Sequence, residues 1–202
     1  DRRDRALARP GVTARLPRAS GSASLARGVA VNFSISHELD MPIDAVELAL
    51  MSPDLAAAFA ERWDGVSDIE RVKHEVDGAR IDRIWRCQAK SPLKVLAGYE
   101  ITRDMLTWEE HWRYERADHR GTWHVVPRPG VDPDAPWRAR FEMRGEYLLE
   151  PLADGRAQRT VRGDIRVELK VVGKVVERIA VAELRKAFSA EAEALGSLST
   201  LP

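Results

Sequence analysis

The stretch RGDIRVELKVVGKVVERIAVAEL, residues 162–184, contains two hydrophobic patterns of different period and decides the fold. Together with Val161, its first part alternates apolar and charged positions, which is typical of a strand with one buried face. Beyond Gly173, apolar residues recur every three or four positions, which indicates an amphipathic helix. We predict this helix over residues 172–195, with a stripe formed by Val172, Val176, Ile179, Ala180, Glu183, Ala187 and Ala190. A strand followed by a long helix therefore ends the predicted fold.

The chain upstream begins with a strand and two short helices. Residues 31–39 alternate, with Val31, Phe33, Ile35, His37 and Leu39 on one face. Asp40 is a candidate N-cap for a helix over 42–51, and Ser52-Pro53 separates it from a second helix over 53–62.

Strands dominate the rest of the chain. Asp77-Gly78 is a strong hairpin signal between two of them, and alternating segments continue to the final strand. A run of six antiparallel strands cannot leave its apolar face open, and the terminal helix is long enough to cover it. The sequence therefore predicts an α+β fold, in which a curved antiparallel sheet of about six to seven strands wraps around the C-terminal helix.

Composition narrows the class of protein. Lys+Arg and Asp+Glu are both 32, so the formal net charge is zero, which argues against a general nucleic-acid binder. The single cysteine excludes an intrachain disulfide, and we expect a reducing, cytoplasmic location with Cys87 as a small buried hydrophobe. No apolar run approaches the ~20 residues of a membrane span, so we expect no integral membrane association.

The first 30 residues differ from the rest. They carry seven Arg against two Asp, a net charge of +5, and contain no aromatic residue. We predict a disordered Arg/Ser/Ala-rich segment over 1–30, followed by one domain over 31–197. A basic arm for RNA or acidic lipid and an organelle-targeting peptide are alternatives for this segment.

The stretch MLTWEEHWRYERADHRGTWH, residues 105–124, holds three of the six tryptophans and three of the five histidines. A metal site, an acid/base site and the wall of a ligand pocket all need such residues. Alternation predicts that Leu106, Trp108, Glu110, Trp112 and Tyr114 share the inner face. We expect His111 to face water.

The other histidines of this stretch are expected to diverge. His119 falls in the predicted turn, and His124 is expected across from Tyr114, facing inward. A slip of one residue would turn His124 outward and bring Trp123 in. Because the three histidines are not expected to converge, we predict no metal site.

Three stretches carry a family resemblance: FSISHELDMPIDAV at 33–46, GTWHV at 121–125 and the opening stretch at 162–184. From about Val31 to Leu195 the chain resembles the helix-grip fold of the START-like superfamily, which includes polyketide cyclases and Bet v 1-like proteins. Within it, the chain resembles the DUF2505 family. The resemblance implies a cavity for a lipid, sterol, polyketide or other apolar molecule, without a shared catalytic motif. No cofactor is expected.

Candidate site residues follow from the inner-face positions. The predicted cavity wall is mostly apolar, as in most small-molecule sites: Phe33, Ile35, Trp85, Trp108, Trp112, Phe141, Met143, Tyr147, Val161, Ile165 and Ile179. The predicted polar anchors are His37, Arg83, Glu110 and His124. Arg83 and Glu110 are candidates for a cross-strand pair, which would be a structural ion pair, an anchor for a ligand's polar end or part of a catalytic group.

Three hypotheses for function remain. The first is a non-catalytic carrier or sensor of a small hydrophobic molecule. The second is a cyclase- or hydrolase-like enzyme in which His37, Glu110 or His124 act as acids or bases. The third is a protein-interaction module with a filled core. The sequence leaves the ligand and the oligomeric state open.

Overall fold

The computed structural model describes residues 30–90, 95–96, 99–100, 106–127, 141–168 and 173–199. The described strands are β1 (Val31–Leu39), β2 (Val66–Asp77), β3 (Arg80–Ala89), β4 (Val95–Leu96), β5 (Tyr99–Glu100), β6 (Thr107–Glu115), β7 (Arg120–Pro127), β8 (Phe141–Pro151) and β9 (Ala157–Val167). The helices are α1 (Ile43–Met51), α2 (Leu55–Arg62) and α3 (Gly173–Ser199). The segment predicted to be disordered lies outside the described residues except for Ala30, as do Leu169 and Val172.

Seven strands form one antiparallel sheet in the order β1-β9-β8-β7-β6-β3-β2, and β4 pairs with β5 separately. Two short helices follow β1, and the long α3 follows β9. This confirms the predicted helix-grip architecture, a curved sheet around a C-terminal helix.

The alternation predicted for β9 is confirmed. Val161, Ile165 and Val167 are buried, while Arg162 between them is exposed. Gly163 lies opposite both Phe33 of β1 and Gly145 of β8.

Trp123 fills the space above Gly145. A Cβ atom on Gly145 would lie 2.7 Å from the Trp123 ring, so the indole packs directly on the strand. The Trp123 ring also contacts the rings of Phe33 and Phe188, at centroid distances of 6.0 and 6.1 Å. This aromatic cluster joins the middle of the sheet to α3.

The start of α1 differs from the prediction. Asp40 is exposed and makes no cap; the helix begins at Ile43 directly after Pro42, without a side-chain cap bond. A buried carboxylate fixes α1 instead. Glu47 accepts hydrogen bonds from Tyr114 Oη at 3.0 Å, Arg116 Nε at 3.0 Å and His119 Nδ1 at 2.9 Å. These bonds fasten α1 to the turn between β6 and β7.

The same turn corrects the predicted hairpin register. A 3-10 turn at Arg116–Asp118 is followed by His119 in the left-handed region, with φ of 51°. Tyr114 therefore pairs with Gly121 rather than with His124. Because the difference is an odd number of residues, it reverses the face of every side chain on β7.

The two halves of α3 are buried to different extents. The stretch 187–195 contains six buried residues: Ala187, Phe188, Ala190, Glu191, Ala194 and Leu195. The stretch 178–186 contains none. Before it, Glu177 is buried and its Oε1 accepts the backbone N–H of Val167 at 3.0 Å. The helix is thus held at both ends of a segment that is only partly covered.

Candidate functional site

Partly exposed apolar side chains lie on the inner face of the sheet and on the first half of α3. On the inner face of the sheet, Trp108, Val125, Phe141 and Met143 are only partly buried. On α3, the partly buried apolar residues are Val176, Ala180, Val181 and Leu184. We call these eight residues the cleft. Large apolar side chains are normally buried in a well-packed interior, so the shared partial exposure of these residues makes the cleft the candidate ligand site.

Helix α2 forms one side of the cleft. Phe59 stacks on Trp63 at a centroid distance of 5.3 Å, and Trp63 meets the edge of Trp108 at 6.2 Å. Phe59 also contacts Trp85 of β3 at 5.6 Å. The aromatic wall therefore continues from the sheet onto α2.

A layer of charged side chains lies beneath the cleft, and we call it the charged layer. Arg83 Nη2 donates to Glu191 Oε1 at 2.7 Å and to Glu110 Oε1 at 3.4 Å. Arg159 Nη1 donates to Glu191 Oε2 at 2.9 Å. Glu191 is therefore held by two guanidinium groups, whereas Glu110 has one long contact.

Exposure separates Glu110 from the rest of the layer. Its side chain is 22 % exposed, against 2 % for Arg83, 3 % for Glu191 and 0 % for Arg159. Glu110 is on the inner face of the sheet, two residues from Trp108 of the cleft and two residues from Trp112.

The guanidinium group of Arg83 packs against two aromatic rings. The guanidinium carbon lies 3.8 Å from the ring centroid of Trp85 and 4.3 Å from that of Trp112, which are favourable cation–π distances. Its Nε and Nη1 atoms have no hydrogen-bond partner within the described ranges. These atoms are buried between the rings and are not presented to the cleft.

The two carboxyl groups of the layer have pKa values shifted in opposite directions. Burial opposes ionisation of Glu191, but Arg83 and Arg159 outweigh it and lower the pKa of Glu191. Burial dominates at Glu110 and raises its pKa, although Arg83 partly opposes the rise. Glu191 is therefore the firmly ionised partner of the two arginines.

His37 is tied to the edge of this layer by two hydrogen bonds. Arg159 Nη2 donates to His37 Nδ1 at 3.1 Å, and His37 Nε2 lies 3.2 Å from Ser189 Oγ. Since arginine has no acceptor, Nδ1 must accept, and the neutral ring carries its proton on Nε2. Burial, with Arg159, lowers the pKa of His37 and favours this neutral ring. Nε2 thus donates to Ser189 and does not serve as a base for its hydroxyl.

The structure places the predicted wall residues in three groups. The first group is fully buried in the core: Phe33, Ile35, Trp85, Trp112, Tyr147, Val161 and Ile165. The second group faces the cleft and is partly buried: Trp108, Phe141 and Met143. Ile179 does not line the interior, because it is 51 % exposed.

The position of Ile179 follows from the orientation of α3. Ala187 and Ala190 of the predicted stripe are buried, but the buried face of α3 also includes Glu177, Phe188 and Glu191, so it is rotated by a fraction of a turn from the predicted stripe. This rotation turns Ile179 outward and leaves Glu183 at the surface, paired with Lys186. It also brings Glu191, which the sequence analysis missed, into the interior.

Among the predicted polar anchors, Arg83, Glu110 and His37 belong to the charged layer or touch it. His124 was assigned to the wrong face, because the hairpin register turns it outward beside His111, at a ring-centroid distance of 4.9 Å. The layer also contains Arg159, which sequence reasoning missed. Its signal was the alternation of β9, since Arg159 shares a face with Val161.

Other regions offer weaker candidates. Two open depressions of about 300 and 290 Å³ lie on the outer face of the sheet and are lined largely by charged side chains such as Arg113, Glu146 and Lys73. Within the described ranges, no three His, Cys, Asp or Glu side chains are grouped to hold a metal ion. Cys87 is buried, which raises the pKa of its thiol. No described helix combines the length and apolar composition needed to cross a membrane.

Comparisons with known proteins give a family and a fold. The family model for "Protein of unknown function (DUF2505)" matches residues 34–197. No curated protein matches the chain. Among solved structures, the Zhui aromatase/cyclase from Streptomyces sp. R1128 is similar at 15 % identity and a TM-score of 0.55, over 85 % of this chain and 94 % of that one.

Two further structures share this fold. A START superfamily protein from Mycobacterium smegmatis is 13 % identical with a TM-score of 0.50, over 83 % of this chain and 98 % of that one. Ara h 8.0201 is 13 % identical with a TM-score of 0.52, over 84 % and 99 % of the two chains. At these identities the likeness establishes the START-like helix-grip fold and nothing further.

Proposed function

The chain belongs to the DUF2505 family, and from this premise we propose that it is a START-like carrier or sensor that binds a small hydrophobic molecule without turning it over. The proposed binding site is the cleft between the sheet and the first half of α3. The ligand classes that fit are a lipid, a sterol or a polyketide-like molecule.

One observation carries the proposal. None of the residues 178–186 of α3 is buried, and the sheet residues on the other side of the cleft, such as Trp108 and Phe141, are also only partly buried. Leaving large apolar side chains partly exposed on two facing elements forgoes stabilisation of about 25 cal/mol for each Å² of apolar surface. A hydrophobic ligand would recover this stabilisation.

The polar groups below the cleft support binding over catalysis. His37 holds its proton on the nitrogen next to Ser189, and the charges of Arg83 and Arg159 are taken up by carboxylates. No base is therefore aligned with a nucleophile among these groups. We infer a role in holding the ligand's polar end, mainly for Glu110.

The inferred setting is a reducing compartment such as the cytoplasm, which is consistent with one buried cysteine. The outer face of the sheet supports a partner other than nucleic acid, because its arginines are paired with carboxylates, for example Arg113 with Asp82 and Arg162 with Glu146.

Native mass spectrometry of the purified full chain tests the proposal. We expect a stoichiometric apolar adduct, released by organic extraction and identified by its mass. If the protein is isolated empty, incubation with a panel of a fatty acid, a sterol and a polyketide should produce the adduct. One structural neighbour is an aromatase/cyclase, which is why a polyketide belongs in the panel.

A matched pair of variants localises the site. Ala180→Trp places a large ring in the cleft, whereas Ala182→Trp places the same ring on the exposed side of α3. We expect the adduct to disappear in the first variant and to persist in the second. An empty protein that gains no mass from the panel would instead favour a protein-interaction module.

A further inference from the structure

We propose that Glu110 sets the polar end of the ligand, so that the cleft takes a neutral molecule ending in a hydroxyl group in preference to the matching carboxylic acid. This inference rests on the proposed binding function and names the ligand chemistry. Glu110 would act as a specificity-determining residue.

Access to ligand distinguishes Glu110 from the other charged groups. Within the charged layer, Glu110 is the group with substantial exposure, at 22 % of its side chain, and it lies on the inner face beside Trp108 of the cleft. Arg83 lies behind it, 2 % exposed and sandwiched between Trp85 and Trp112. A ligand entering the cleft therefore meets a carboxyl group before it meets a guanidinium group.

The balance of charges in the layer disfavours a ligand carboxylate. The layer contains two arginines, Arg83 and Arg159, and two glutamates, Glu110 and Glu191, so it is neutral when both carboxyl groups are ionised. A ligand carboxylate would add a fifth charge without a partner. It would have to displace Glu110 from its 3.4 Å contact with Arg83 or bind together with a proton.

Hydrogen-bonding capacity also distinguishes a ligand hydroxyl group from a ligand carboxylate. A hydroxyl group both donates and accepts, so it can donate to an ionised Glu110 or accept from a protonated one. Its binding is therefore indifferent to the protonation of Glu110. A carboxylate can only accept, and it is compatible with the protonated form alone.

These requirements predict a pH signature. The charged or titratable groups around Glu110 are Arg83 and Cys87 on β3 and Glu191 on α3, with Arg159 beyond Glu191 and His37 at the edge of the layer. Burial raises the pKa of Glu110, so its protonated fraction grows as the pH falls towards that pKa. The preference for the alcohol should thus be strong in alkali and fade in acid.

The test compares dodecanol with dodecanoate on the full chain by tryptophan fluorescence titration. At about pH 8 we expect the alcohol to bind on the order of a hundredfold to a thousandfold more tightly, as expected for two like charges about 4–6 Å apart at an effective dielectric constant of about 20. The preference for the alcohol should become smaller as the pH is lowered, because burial raises the pKa of Glu110. This comparison needs only the wild-type protein.

Two variants assign the effect to one side chain. Glu110→Gln removes the charge at nearly constant volume, and it should abolish both the preference and its pH dependence. Glu109→Gln, on the outer face and paired with Arg86, should retain both. If Glu109→Gln loses the preference as well, the assignment to Glu110 is wrong.

The outcomes separate this inference from the proposal on which it rests. Equal or tighter binding of dodecanoate at about pH 8 overturns the role of Glu110 and leaves ligand binding intact. A preference that persists in Glu110→Gln also overturns it. If neither molecule binds to a folded protein, the proposed binding function fails and this inference fails with it.

Discussion

Glu191 is the residue on which the charged layer depends, because two buried guanidinium groups share its carboxylate. We expect Glu191→Gln to lower the free energy of unfolding by about 3–5 kcal/mol, the usual cost of removing one partner of a buried ion pair. Urea unfolding followed by circular dichroism measures this loss.

Glu193→Gln is the matched control, since Glu193 is exposed on the same helix. Its effect should stay within about 0.5 kcal/mol. Similar stability for the Glu191→Gln and wild-type proteins would mean that Glu110 and solvent compensate both arginines.

His37 gives the protein a pH dependence of known sign. Its pKa is lowered in the folded state by burial and by Arg159, whereas the unfolded chain has the ordinary value of 6.5. Below pH 6.5 the imidazole of His37 binds a proton in the unfolded state and stays neutral in the folded state. The stability that is present above pH 6.5 is therefore lost as the pH falls.

The variant His37→Gln isolates this contribution, because an amide can still accept from Arg159 and donate to Ser189. Thermal unfolding of both proteins between about pH 7.5 and 5.5 should show a smaller loss of stability in the variant. If the stability of the two proteins changes equally with pH, His37 binds protons equally in the folded and the unfolded state.

For single residues, the sequence predicts the position of a side chain correctly when neighbouring residues of the same strand determine it. Alternation correctly placed Arg83 and Glu110 on the inner face, 3.4 Å apart. The alternation of β9 also places Arg159 on the inner face, but a charged residue within an alternating strand is easily assigned to the surface. The burial of Glu191 depends on the orientation of α3 against the sheet. This orientation is a tertiary property that no local sequence pattern contains.

Among the elements, the packing of Trp123 on β8 explains the glycine at position 145, and the close approach of the Arg144 backbone explains Gly163 on β9. A Cβ on Gly145 would lie 2.7 Å from the Trp123 ring and 2.1 Å from the carbonyl oxygen of Arg162. We therefore expect Gly145→Ala to destabilise the protein by about 1–3 kcal/mol or more through overpacking. Chemical denaturation provides the measurement.

Gly196 provides a control of opposite sign. It lies within α3, and a Cβ there would approach only Met41 at an ordinary 3.8 Å. Gly196→Ala should stabilise the protein by roughly 0.5–1 kcal/mol through helix propensity. Destabilisation by both substitutions would point to a general intolerance of added volume.

Elements with a sustained period were predicted well, and the turn between β6 and β7 was not. The presence of the long helix α3 and the faces of β9 follow from many residues that agree with each other, although α3 ends at Ser199 rather than at the predicted residue 195. The register of β7 depends on one residue, His119, in a left-handed conformation. Because one conformational choice shifts the whole strand, Trp123 and His124 exchanged their predicted faces.

For the whole molecule, the open sheet raises the question of how its edges remain unpaired. The edge strand β2 carries charge at half of its twelve positions: Asp68, Glu70, Arg71, Lys73, Glu75 and Asp77. Its pairing with β3 is also interrupted between Arg71 and Lys73, and Val72 is 42 % exposed there. Charge and irregularity on an edge strand both discourage pairing with another chain.

Removing this protection should promote association. Lys73 and Glu75 form an exposed ion pair at 2.9 Å, worth at most about 1 kcal/mol, so replacing both with Val should cost little stability. We expect the double variant to sediment faster than the wild type as concentration rises, because two chains can pair along β2. Analytical ultracentrifugation at several concentrations measures this.

The control separates edge pairing from added hydrophobicity. Glu146 and Arg162 form a similar exposed pair at 2.7 Å, but on the interior strands β8 and β9. Replacing both with Val adds the same apolar surface where no free backbone edge exists, so its sedimentation should follow that of the wild type. Equal association of the two double variants would assign the effect to hydrophobic surface and leave β2 without a protective role.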